Sequence, residues 1–163
     1  MNAVLNILDR ALRGVLVLLM SAMVLAVTWQ VVSRYLLSSP SPWTEEVARF
    51  LLIWIGTLGA AYAFRTRMHI GLDLLPRHLE GAAKRRLHRF TTSVIILFAV
   101  AVLIVGGGSL VLLTWDLGQT SAALALPIAF VYSIIPLTGL LVVIYSLAAF
   151  GEVPAADVAG EYD

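Results

Sequence analysis

The stretch Trp43–Asp73, WTEEVARFLLIWIGTLGAAYAFRTRMHIGLD, decides how the rest of the chain is read. It opens with adjacent carboxylates, Glu45 and Glu46, and a basic Arg49 one turn later. From Phe50 to Phe64 it carries no charge, and it leaves through Arg65, Arg67, His69 and Asp73. An uncharged centre with crowded, sign-sorted ends is the pattern of a helix that crosses a bilayer.

The surrounding composition agrees. Of the 163 residues, 60% are hydrophobic and only 13% charged, and the mean hydropathy is +0.93. Soluble domains carry roughly 25% charged residues, so this excess of apolar residues points to an integral membrane protein. The absence of cysteine excludes disulfides, thiol chemistry and Cys-based metal sites. The first apolar run, Gly14 to Val27 with a weakly polar extension to about Val32, is long for the apolar part of a signal peptide; it is expected to be a retained first span.

A helix rising ~1.5 Å per residue needs roughly 20 residues to cross ~30 Å of hydrocarbon. Four segments meet that length, at about 12–33, 46–65, 92–115 and 127–150. The expected fold is an all-α integral membrane protein with four transmembrane helices in a single membrane domain, 1–163. Nine of the 11 Lys and Arg residues fall in the N-terminal tail (Arg10, Arg13) or between spans two and three (Arg65, Arg67, Arg77, Lys84, Arg85, Arg86, Arg89). The first loop has only Arg34 and Arg49, and the third loop has none. Positively charged loops stay in the cytoplasm, which places both termini and the central loop there. Leu79, Ala83, Leu87 and Phe90 recur at helical spacing among these basic residues. That spacing suggests a short basic amphipathic helix at about 77–90, lying on anionic inner-leaflet lipid. An ordinary positive-inside loop explains the charge equally well.

Ionisable groups at membrane depth are costly and mark function where they occur. Here Val15–Val27, Leu51–Ala63, Val94–Leu113 and Ile128–Phe150 contain no Asp, Glu, Lys, Arg or His. A proton-coupled carrier needs a titratable group on its path, and this chain offers none at depth. His69, His78 and His88 all lie between spans two and three, away from any buried haem position. No catalytic triad, HExxH or phosphate loop is present, so nothing points to an enzyme. No cofactor, metal or nucleic-acid partner is implied.

The polar ends are richer. Ser41 followed by Pro42 reads as a helix start, with Glu45 and Glu46 in the first turn where the helix dipole favours anions. Glu45 and Arg49 share a face, and Arg34 lies within reach of the same carboxylates. Two readings stand together: a capped helix with a local ion pair, or an outer patch of Arg34, Trp43, Glu45, Glu46 and Arg49 that meets another protein. Arg65, Arg67, His69 and Asp73 form the corresponding inner cluster. Gly56 with Ala60, and Gly59 with Ala63, are spaced for close helix packing, within this chain or onto a partner. Pro136 removes a backbone hydrogen bond from span four and predicts a kink near Tyr132.

These residues resemble a family. Trp43-Thr44-Glu45-Glu46, Arg49, Trp54, Gly56, Gly59-Ala60-Ala61, Arg65 and His69-Ile70-Gly71-Leu72-Asp73 are similar to the signature of the DctQ-like small membrane subunit of TRAP (tripartite ATP-independent periplasmic) transporters. A second stretch, Ser121-Ala122-Ala123-Leu124-Ala125-Leu126-Pro127 with Tyr132, Pro136 and Gly139, resembles the start of that family's last span. Together the two cover roughly half the chain. The resemblance implies a scaffold in the bacterial inner membrane. It would brace a large membrane subunit and help dock a periplasmic substrate-binding protein for uptake of a carboxylate-type substrate. Sodium coupling would reside in the large subunit. Glu45, Glu46 and Arg49 would lie on the docking side, while Arg65, His69 and Asp73 would order the turn into the surface helix. The alternative is a self-contained small carrier or channel, with a homodimer among its forms. That reading calls for polar groups converging in the membrane, and only Thr28, Gln30, Thr57 and Ser133 come near. Gly106–Gly108 and the acidic tail (Glu152, Asp157, Glu161, Asp163) belong to no pattern recognised here.

Overall fold

Leu5, Leu12 and Leu19 recur every seventh residue and are the buried leucines of the first helix. A seven-residue repeat keeps one seam of a helix against one neighbour, and that neighbour is the second helix. The computed structural model describes residues 2–37, 39, 41–74 and 82–150, with the side chains of all of these save 2–4, 67–74, 82, 84 and 85. Helix α1 runs Asn2–Tyr35 and α2 runs Pro42–Leu74. The third span is α3 (Ala82–Phe98), a π-helical segment (Ala99–Gly106) and α4 (Gly107–Asp116) in continuous succession. The fourth is α5 (Ile128–Tyr132) followed by α6 (Ile134–Phe150). Among the described residues there is no strand, and four segments are long and apolar enough to cross a membrane: Leu5–Tyr35, Pro42–Thr66, Arg86–Asp116 and Ile128–Phe150.

The fourth span sits in the middle. It packs on α2 at one side and on the third span at the other, while α1 packs extensively only on α2. Spatial order is therefore one, two, four, three. Ile134, Thr138, Tyr145, Ser146 and Ala148 of α6 are buried accordingly. The core cluster joins Leu5, Leu12 and Leu19 of α1 to Leu58 of α2 and to Ile134, Tyr145 and Ala148 of α6.

Two glycines set the approach of the third and fourth spans. A Cβ on Gly139 would stand 2.8 Å from Leu103 Cβ and 2.9 Å from Ile104 Cγ1, inside the π-helical segment. One on Gly107 would stand 2.7 Å from Ile135 Cγ2 and 3.1 Å from Pro136 Cδ. Both helices need a bare backbone there. Gly107 thus gives one residue of the glycine triplet a packing role, whereas a Cβ on Gly108 would meet nothing within 4 Å.

The fourth span breaks at Ser133, between α5 and α6. Proline has no N–H, so Pro136 withdraws a donor from the turn before it and the ladder there is interrupted. Trp54 packs beside this break: its indole Nε1–H donates to the Val131 carbonyl at 3.0 Å, and its ring lies 5.5 Å from that of Phe130.

Between spans two and three the described backbone resumes at Ala82, and the basic segment continues directly into the third span. Residues 75–81 lie outside the described residues, so the expected surface helix at about 77–90 is seen only as the opening turns of α3. Phe90, assigned to its apolar stripe, is 68% exposed. His88 is the side chain turned inward, with Nε2 3.1 Å from the Ala149 carbonyl at the end of α6.

Candidate functional site

The helix end that carries Trp43 holds the first cluster. Helix α2 begins at Pro42, and the buried Thr44 hydroxyl donates to the Ser41 carbonyl at 2.7 Å to fix that first turn. The two carboxylates that follow point in different directions. Glu45 accepts from Arg49 at 3.0 Å, with both side chains more than half exposed. Glu46 instead reaches across to the loop between spans three and four, where its Oε2 accepts from the Leu124 backbone N–H at 3.0 Å. The Ala122 and Ala123 amides and the Ser121 hydroxyl face the same carboxylate. Successive backbone N–H groups form a concave anion-binding surface of this kind.

That loop is built to present those amides. Gly118, at φ 60°, closes α4 in the left-handed conformation that glycine adopts freely, with Gly118 N–H bonded to the Trp115 carbonyl and Gln119 N–H to that of Thr114. Thr120 pairs with Pro127 in an isolated bridge, and Ile128 N–H donates to the Gln119 carbonyl at 3.0 Å. Inside the bridge, Ser121 and Leu126 bond at 2.8 Å, and Ala125 is held at φ 53°. A left-handed alanine costs about 1–2 kcal/mol, which the surrounding bonds offset. The two stretches quoted for the family resemblance are therefore one structural unit, with Glu46 bound to the 121–124 turn. A cleft of about 550 Å³ opens beside it, lined by Pro42, Trp43, Glu45, Glu46, Arg49, Ala122 and Ala123. Arg34 is exposed at the end of α1 and borders a smaller recess of about 130 Å³ with Gln30, Ser41, Pro42 and Glu45; among the described residues it forms no ion pair.

The opposite end holds the second cluster. Arg65 pairs with Asp9 of α1 at 3.5 Å, and its guanidinium lies 5.6 Å from the Tyr145 ring centroid of α6. Arg13 stacks over Tyr62 at 5.9 Å. One cation thus ties together three helices. Arg67, His69 and Asp73 fall in the last turns of α2, and their side chains lie outside the described residues. Sequence reasoning missed Asp9, the one acid in the N-terminal stretch, whose place next to the Leu5–Leu12 seam was the available signal. It also missed His88 and Tyr145, which have no charge pattern to announce them.

The middles of the spans contain no comparable cluster. Two of the polar groups considered for a path through the membrane, the Thr57 and Ser133 hydroxyls, donate to their own helix at the Ile53 and Phe130 carbonyls (2.8 and 2.7 Å). Gly56 and Ala60 are exposed, and a Cβ on Gly56 or Gly59 would meet nothing within 4 Å. No group of three or more His, Cys, Asp or Glu residues able to hold a metal occurs among the described residues.

The chain is 31% identical over 104 residues to the sialic acid TRAP transporter small permease protein SiaQ of Vibrio cholerae, covering 64% of this chain and 56% of that protein. It is 31% identical over 121 residues to the C4-dicarboxylate TRAP transporter small permease protein DctQ of Rhodobacter capsulatus, covering 71% of this chain and 53% of that protein. It is 30% identical over 125 residues to the isethionate TRAP transporter permease protein DctMQ of Oleidesulfovibrio alaskensis, covering 73% of this chain but only 20% of that longer protein. The matched stretch thus spans about half the length of the two small permease proteins. These relatives are membrane components of transporters rather than enzymes, and together with the four apolar spans they mark the chain as a multi-pass protein of the inner membrane. Residues 23–153, which include the Glu46–loop unit and Arg65, match the family described as tripartite ATP-independent periplasmic transporters, DctQ component, and this chain belongs to that family.

Proposed function

We propose that the chain is the small scaffold subunit of a TRAP-type secondary transporter, bracing a large permease and helping dock a periplasmic substrate-binding protein. Its termini and central basic segment face the cytoplasm, and the Trp43–Glu46 end faces the periplasm. The observation that carries this reading is the charge-free middle of all four spans in a member of this family. A brace needs packing surfaces and polar ends but no ion path of its own. Sodium coupling belongs to the large permease. The transported substrate is an organic anion, most simply a carboxylate; sialic acid and C4-dicarboxylates in the relatives' names support that class.

Within the Trp43 end, docking falls to Arg34, Trp43, Glu45 and Arg49, since Glu46 is engaged with the loop. Deleting the chain from its host should abolish sodium-dependent uptake of the organic acid, and restoring it should return uptake. Glu45→Lys combined with Arg34→Glu should weaken uptake at least tenfold and leave the range of accepted substrates unchanged. A changed substrate range would place these residues in a binding site and overturn the docking role. Undiminished uptake after deletion of the chain would overturn the scaffold reading.

A further inference from the structure

Helix α3 carries one continuous exposed ridge into the membrane. Arg86, Phe90, Val94 and Phe98 follow one another at steps of four, and all four are exposed. Residues four apart form an inclined ridge on a helix, so this one starts at a cation and runs on through apolar side chains. Arg86 opens the third span, and among the described residues it forms no ion pair. Other cations lie near it in the chain. Lys84, Arg85 and Arg89 share the first turns of α3, and Arg65 and Arg67 lie at the matching end of α2.

The ridge leads into a groove. Val94 and Phe98 belong to one wall of a cavity of about 530 Å³ between α2 and α3, with Ala60 and Phe64 on the other wall and Val142 of α6 in the floor. Helices α2 and α3 do not pack extensively on each other, which leaves this space between them. The Thr57 hydroxyl on its wall donates to its own helix, and the Thr138 hydroxyl is enclosed. The groove therefore offers an occupant no free side-chain hydroxyl among the described residues. From Thr57 to Phe64 it runs about 10 Å, at ~1.5 Å per residue. A helix about 10 Å across would need roughly 800 Å³ over that length, more than the groove holds. An acyl chain is one methylene wide and asks for no polar contact. It fits.

We propose that this end of the chain holds one anionic diacyl phospholipid. Its phosphate lies beside Arg86, and one acyl chain follows Phe90 and Val94 into the groove between α2 and α3. Basic pockets between helix ends take acidic headgroups in this way. A guanidinium matches a phosphate with two parallel N–H donors, and an arginine at a helix end reaches the interface while its stem covers apolar surface. In the orientation proposed above, the site opens to the cytoplasmic leaflet, where anionic lipid is concentrated. The lipid fills the space that the two helices leave open.

The test is native mass spectrometry of the full chain, purified in mild detergent and incubated with dioleoyl phosphatidylglycerol or dioleoyl phosphatidylcholine. Phosphatidylglycerol should remain as one bound lipid per chain at collision energies that strip phosphatidylcholine. Arg86→Gln should lower that bound fraction about fivefold. Arg89→Gln removes the same charge from the far side of α3, since Arg89 precedes Val94 by five residues, and should lower it less than twofold. Ala60→Phe fills the groove, leaves every charge in place and should lower it about tenfold. Arg86, Arg89 and Ala60 are all exposed, so the variants have room to fold, and circular dichroism checks that their helices are intact. Equal retention of the two lipids, equal losses in Arg86→Gln and Arg89→Gln, or full retention in Ala60→Phe would each overturn the site. A photo-crosslinking amino acid at position 98 in intact cells should label phospholipid, and label on a protein partner instead would also overturn it. Micelles define no leaflet, so the binding results stand apart from the proposed orientation and from the scaffold reading.

Discussion

Glu45 and Glu46 are neighbours in sequence with separate tasks. Glu45 forms an exposed i,i+4 pair with Arg49, a type of pair worth about 0.3–0.5 kcal/mol. Glu46 holds a loop 78 residues away through backbone amides. Glu46→Ala should therefore speed hydrogen exchange of the 121–126 amides and lower the thermal midpoint, while Glu45→Ala should leave both nearly unchanged. Equal exchange in the two variants would show that the carboxylate does not hold the loop. The sequence made both residues visible as helix-start acids, because the dipole rule needs only position. It could not separate them, because the partner of Glu46 is main chain and carries no residue code. Asp9 and Arg65 are a similar case: each is legible as a charge, and only the fold brings them to 3.5 Å. A double-mutant cycle on the two should give a coupling of about 0.5–3 kcal/mol, the range for charged side chains in contact.

At the scale of the helices, hydropathy exposed the spans and turn chemistry exposed their starts. Pro42 opens α2 and Pro136 follows the break at Ser133, both as residue type dictates. Glycine was legible as small but not as facing any particular neighbour. Gly56 and Gly139 look alike in sequence, yet one opens to space and the other meets Leu103 and Ile104. Gly139→Ala should destabilise the third and fourth spans by about 1–3 kcal/mol through overpacking. Gly56→Ala in the isolated chain should be neutral or stabilising by up to about 1 kcal/mol, the helix-propensity difference. Reversible unfolding in mixed micelles measures both, and equal effects would show that helix packing does not distinguish them. The basic segment before span three reads from its apolar spacing as a surface helix leading into that span, and its described part does continue into α3, with His88 rather than Phe90 turned toward α6. Periodicity marks a helix without saying which of its sides meets a neighbour.

For the whole molecule, the order one, two, four, three leaves α1 joined extensively to α2 alone and leaves one face of α2 open. Such a layer is poorly suited to enclosing a path and well suited to lying against a larger protein. The class was legible because charge is absent from the middles and crowded at the ends, a pattern that needs no tertiary knowledge. The spatial order was not, since four apolar spans satisfy lipid in many arrangements. The most direct test is native mass spectrometry of the tagged chain purified in mild detergent from its own host. The account predicts a stable complex of this chain with a much larger membrane permease. Recovery of this chain alone, as a monomer or homodimer that transports an organic acid into liposomes by itself, would contradict it.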